Sequence, residues 1–181
     1  MAISKKQYED AKQSALGYFE KAGIALTEKE KNEIEVADFG LSELDHYGVE
    51  LVMYVNTERV CAKEVILFPW QICPQHYHPA LDGEPGKEET FRCRWGQVYL
   101  YVDGPATKEP HARLPHGHEQ YFTLRQEVVL NPGDQYTVVA GKAHWFQGGP
   151  EGAVLSEFST PSTDEIDVFA DPGIVRIPEI Y

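Results

Sequence analysis

Cysteine is scarce in this sequence: three in 181 residues, Cys61, Cys73 and Cys93. An odd number at irregular spacing is no disulfide framework, and there is no C-x-x-C pair to hold a thiolate zinc site. They read as small buried hydrophobes in a reducing compartment. Basic residues are also few, 16 Lys and Arg against 29 Asp and Glu, for a formal net charge of −13. A surface of that sign repels a phosphate backbone, which argues against a nucleic-acid partner. No apolar run is long enough to span a bilayer, and the opening MAISKKQYEDAK lacks an apolar signal core. The chain is therefore expected to be cytoplasmic, with no membrane partner.

What is present reads as one domain over residues 1–181, long enough to bury roughly 70 % of its unfolded surface. Residues 1–45 form a helical extension. Ser4 and Gln7 have capping-box spacing, with Tyr8, Ala11, Ala15 and Phe19 along one side. Thr27 and Glu30 repeat the box, and Ile34, Ala37 and Leu41 are expected to continue a second helix. From residue 49 to 160 the text changes to short β-branched and aromatic runs, VELVMYV, VCAKEVILF, TFRCRWGQVYLYV, QYTVV, AHWFQ and GAVLSEFST. Turn signals such as GEPG, NPGD and GGPEG fall between them, the pattern of a sandwich or small barrel. Residues 161–181 are expected to lie along the barrel as an extended tail.

His76 and His78 flank one residue. On a strand such positions face the same side, so both imidazoles reach one ion. Glu89 opens the next strong strand and His144 follows the turn at Gly141. Three imidazoles and a carboxylate make an N3O set with open positions, suited to Mn, Fe, Co, Ni or Zn. Asp82 and Glu84 lie nearer His78 than Glu89 does, but in a turn-rich loop with no strand to aim them. Imidazoles bind metal when neutral, so affinity is expected to weaken below roughly pH 6.5. A second H-x-H followed by an acid, His116, His118 and Glu119, sits among prolines and a glycine and reads as a polar loop.

The set His76, His78, Glu89, Gly96, followed by Gly133, Gly141 and His144, resembles the two motifs of the cupin superfamily. Val139 stands where that pattern has proline, and the gap from His78 to Glu89 is longer. The resemblance implies a mainly β fold, a double-stranded β-helix or jelly-roll barrel, here with two N-terminal α-helices. The ordered segments QHYHP, GEPGKEETF, KAHWFQ and LSEFSTPSTDE are similar to the short bacterial D-lyxose isomerases. That resemblance implies a metal-dependent, usually Mn(II)-dependent, interconversion of D-lyxose with D-xylulose, often also D-mannose with D-fructose. It further implies metal binding by His76, His78, Glu89 and His144, with Lys87 and Glu157 in the chemistry.

Asp164, Trp95 and Tyr77 are candidate sugar contacts. Arg92 and Arg94 share a strand face away from Glu89, which disfavours a phosphorylated substrate. Small cupins commonly pair, so a homodimer is expected. A non-haem Fe(II) dioxygenase and a non-catalytic sugar-binding or regulatory cupin are the alternatives, because one fold hosts many chemistries.

Overall fold

The computed structural model describes residues 3–177 and 179–181. Helix α1 (Lys5–Lys21) starts at the expected capping box, with the Ser4 and Gln7 side chains exchanging bonds with each other's backbone. Its Ala11, Ala15 and Phe19 are buried. Helix α2 (Glu28–Asn32) also has its box, at Thr27 and Glu30, but stops after five residues. The stretch expected to prolong it turns into strand β1 (Glu35–Ala37), antiparallel to β2 (Val49–Asn56). Val36 and Ala37 are buried by that pairing, and sheet addition overrides a helical spacing carried by only three apolar residues.

The barrel is built from β2, β3 (Cys61–Leu67), β4 (Ile72–Tyr77), β5 (Glu89–Val102), β6 (Gln126–Leu130), β7 (Gln135–Val138) and β8 (His144–Ser159). All named strand pairs are antiparallel, and the curled sheet is of the cupin type. The segments AHWFQ and GAVLSEFST, read above as two strands with a turn between, are one strand. β8 crosses GGPEG by a wide bulge, its partner on β5 moving from Val98 at Gly148 to Gly96 at Ala153. Gly96 is required at that bulge: its φ is +73° and a Cβ would lie 2.1 Å from the Gly152 carbonyl oxygen.

β8 holds the site together. Its first half pairs with β4, setting His144 opposite His76, while its second half pairs with β3 and β5, setting Glu157 beside Lys63 and Phe91. Alternation turns Glu89, Phe91 and Cys93 inward and leaves Arg92 and Arg94 outside, as parity predicts. Inward apolar side chains such as Leu51, Val65, Phe91 and Phe146 are buried around the cup, each contributing about 1.5–3 kcal/mol. On the outer face Val52, Ile66 and Val154 pack against Ala15 and Phe19 of α1.

The tail is more than extended chain. It carries a 3-10 turn (Asp164–Ile166) and strand β9 (Val168–Phe169), which pairs with β4 at the two residues preceding His78. The three cysteines are free and buried, and no helix among the described residues is long and apolar enough to cross a membrane.

Candidate metal centre

His76 lies on β4, His78 just beyond its end, Glu89 at the start of β5 and His144 at the start of β8. All four are buried, and each offers one ligand atom within 4.8 Å of the others. The ring centroids stand 4.4 Å (His76–His144), 5.0 Å (His76–His78) and 5.6 Å (His78–His144) apart. Asp82 and Glu84 are exposed on a turn closed by the Leu81–Glu84 bridge, away from the cluster.

The outward nitrogens are anchored. His76 Nδ1 lies 2.8 Å from the Pro74 carbonyl, and His78 Nδ1 lies 2.5 Å from Asp167 Oδ1. Donation from Nδ1 leaves Nε2 to face the cluster, the arrangement of carboxylate–histidine–metal triads. His78 and His144 both turn Nε2 towards Glu89 Oε1, at 3.0 and 2.7 Å. Yet His144 Nε2 makes no hydrogen bond, although it is fully buried. A short contact without hydrogen-bond geometry leaves a lone pair facing a carboxylate oxygen. A cation between them removes that cost, so the four side chains fit one divalent metal.

Glu89 is held from its other side. Lys87 Nζ lies 2.8 Å from Glu89 Oε2, 3.2 Å from Glu157 Oε1 and 3.1 Å from Asp164 Oδ1. Gly86 makes this approach possible, since a Cβ there would lie 1.9 Å from the His78 carbonyl oxygen. Burial opposes the charge on Lys87, but the three carboxylates outweigh it and hold its pKa well above the usual lysine range. Burial likewise opposes ionisation of Glu89, and the Lys87 ammonium, with the His78 hydrogen bond, outweighs it and holds its carboxyl well below the usual carboxylate range. For His76, burial and the two neighbouring imidazoles push the pKa well below normal. For His78, burial is overcome by Asp167 and Glu89, which hold it at about 9.

Three residues not singled out in the sequence complete the site. Lys63 on β3 reaches Asp164 Oδ2 (2.5 Å), Ser162 Oγ (2.8 Å) and Glu157 Oε1 (3.5 Å). Asp167 holds His78. Arg176 reaches Glu35 Oε1 (2.5 Å) and Asp164 Oδ2 (3.4 Å). Only a lysine at an inward strand position hinted at Lys63; nothing local marks the tail residues.

Asp164 is thus brought in, while two other candidate sugar contacts are not. Tyr77 faces the opposite side of β4 from its histidine neighbours and is 39 % exposed. Trp95 packs outside the barrel, its ring 5.6 Å from Tyr18 of α1. Parity from Glu89 would aim it inward, but a register shift between Cys93 and Trp95 reverses the alternation. Of the aromatics near His144, Phe146 lines the cavity and Trp145 stacks on Tyr101.

No protein-family model matches the sequence. Among solved structures, an L-ribose isomerase of Acinetobacter sp. DL28, in complex with L-ribose, has a TM-score of 0.80 to this chain at 17 % identity, covering 99 % of this chain and 98 % of that one. At such identity the likeness speaks for the fold. Sequence relatives are much nearer. A D-lyxose/D-mannose isomerase of Thermosediminibacter oceani is 54 % identical over 178 residues, 98 % of each chain. A D-lyxose ketol-isomerase of Cohnella laeviribosi is 54 % identical over 174 residues, 96 % of each. Agreement at more than half of all positions, end to end, is what one lineage produces: the chain belongs to the D-lyxose isomerase family.

Proposed function

We propose that the protein is an aldose–ketose isomerase interconverting D-lyxose and D-xylulose, with D-mannose and D-fructose as a second pair. Its metal ligands are His76, His78, Glu89 and His144, and its ion is Mn(II), with Co, Fe, Ni or Zn able to occupy the same donors. It acts in the cytoplasm as a homodimer. The observation that carries this reading is the position of Glu157, buried on β8 and joined through the Lys87 ammonium to the ligand Glu89.

A divalent ion bound there supplies Lewis acidity to the two adjacent sugar oxygens at which charge develops. The protein supplies the rest. Both Lys63 and Lys87 approach Oε1 of Glu157, leaving Oε2 to act as the base. It takes the proton from C2 of the aldose and returns it to C1, while the O2 hydroxyl proton passes to O1 through a cis-enediol. Asp164, gripped by both lysines, is placed to accept from a sugar hydroxyl. The cavity beside the cluster is also lined by Phe91, Phe146 and Phe169, an apolar surface for the sugar's C–H face.

The test is ketose formation from D-lyxose with added Mn(II), with and without chelator. Chelator-sensitive turnover is expected, and Glu157→Gln should lower kcat by about 10²–10⁴-fold while metal content is kept. Oxygen uptake without ketose, or full activity in Glu157→Gln, would overturn the assignment.

A further inference from the structure

The cavity beside the metal ligands is too small for a sugar. Its volume of about 40 Å³ accepts a few waters, each needing roughly 10–15 Å³. A sugar in contact with the ligands therefore needs room beyond this volume. Much of the wall is sheet, with Leu51, Val65 and Phe91 locked into continuous ladders. Asp164 and Arg176 of the tail line another side, and these two side chains also line a second, outer cavity of about 340 Å³. These two residues are the ones common to both linings, which makes them the candidate partition.

The two halves of the partition are held differently. Asp164 is fixed from inside by Lys63 and Lys87, and the neighbouring Ser162 backbone is clamped at both ends by the Asn56 amide, at 2.9 and 3.0 Å. Arg176 is tied by its side chain, to Glu35 on β1 and more loosely to Asp164. Releasing Glu35 would let Arg176 swing away without disturbing any ladder or any residue of the metal cluster.

The outer cavity has the chemistry of a polyol site. Asn56, Ser162 and Tyr8 give it a polar lining, each already hydrogen-bonded within the protein but with acceptor capacity left on oxygen, and Met53 and Ile177 offer an apolar wall for C–H faces. Glu35, Asp164 and Glu165 outnumber the single Arg176 there, so the cavity favours a neutral sugar and repels a phosphorylated one.

We propose that the outer cavity is the vestibule through which the neutral sugar arrives, and that the Glu35–Arg176 pair is the latch between it and the metal cavity. The identity of the visitor rests on the isomerase reading; the latch does not. Two cysteines report on it without turnover. Cys73 lines the inner cavity, whereas Cys93 is buried in the same core and lines neither cavity.

Metal-loaded wild type and Glu35→Gln would be exposed to iodoacetamide and the labelled sites located by mass spectrometry. Labelling of Cys73 should accelerate severalfold in Glu35→Gln, with Cys93 unchanged. An unchanged Cys73 rate, or a parallel rise at Cys93 that signals general loosening, overturns the latch. Met53→Trp, built from a partly exposed position, then fills the vestibule. It should lower kcat/KM for D-lyxose severalfold, with kcat and bound Mn(II) near wild type. An unchanged kcat/KM overturns the vestibule. If the wild type forms no ketose, the isomerase reading fails, and Cys73 labelling still decides whether Glu35 and Arg176 gate the cavity.

Discussion

The molecule contains two H-x-H pairs, and in both the second histidine holds an aspartate of the tail through Nδ1: His78 with Asp167 at 2.5 Å, His118 with Asp171 at 3.0 Å. The difference lies at the other nitrogen. Nε2 of His78 faces Glu89, with the rings of His76 and His144 beside it in the barrel interior. The His118 ring lies instead against Tyr47 and Tyr121, and its neighbour His116 is exposed. Gly117, at φ +87°, turns the chain between them, so nothing aligns the two imidazoles as a strand does. A histidine oriented by a carboxylate is thus not enough for a metal site; the strand must also deliver other donors to the same point.

Substitutions can sharpen this contrast. The largest effect is expected from Glu89→Ala, which should abolish metal retention after dialysis, read by elemental analysis, while Asp82→Ala retains it. Reversal of those two results would remove Glu89 from the ligand set. Next, Asp167→Asn should weaken metal affinity by about 10–100-fold, as loss of an orienting carboxylate commonly does, whereas Asp171→Asn leaves it unchanged. Equal effects from both aspartates would mean that the tail matters only for folding.

A smaller, graded effect concerns pH. Asp167 and Glu89 raise His78 of the metal-free protein to about 9, above an ordinary histidine, so near neutrality Nε2 carries a proton that the metal must displace. Apparent affinity should therefore climb by about tenfold per pH unit from roughly 6.5 towards 9, then level off. This window lies above the one expected from unperturbed imidazoles. Calorimetry in buffers of different ionisation enthalpy should register the released proton near pH 7; a flat affinity across that range would contradict the assignment. The smallest effect belongs to the loop pair, where His116→Ala and His118→Ala should leave metal content and pH response as in wild type.

The parts of the site written in local pattern were legible. Strand parity places His76 and His78 on one side, and Glu89 and His144 open strands whose glycines mark the turns. The capping boxes at Ser4 and Thr27 mark both helix starts correctly. What was missed depends on pairing at long range or on single-residue slips. Asp167 reaches His78 because β9 pairs with β4, and no feature near residue 167 encodes that meeting. Trp95 changes side through one bulge, which parity counting cannot see. Residues 34–41 carried too few apolar positions to distinguish a helix from a short edge strand, and pairing with β2 decided it.

The order of the chain has a consequence for biosynthesis. Every proposed ligand, and every strand carrying one, precedes Asp164, Asp167 and Arg176. A ribosome therefore completes the cup before it releases the groups that orient His78 and balance Lys63 and Lys87. A product truncated after β8 would keep all four donors but lack Asp164, leaving Lys63 and Lys87 to share Glu157 and Glu89. The orienting bond to His78 therefore forms only once Asp167 has joined the cup.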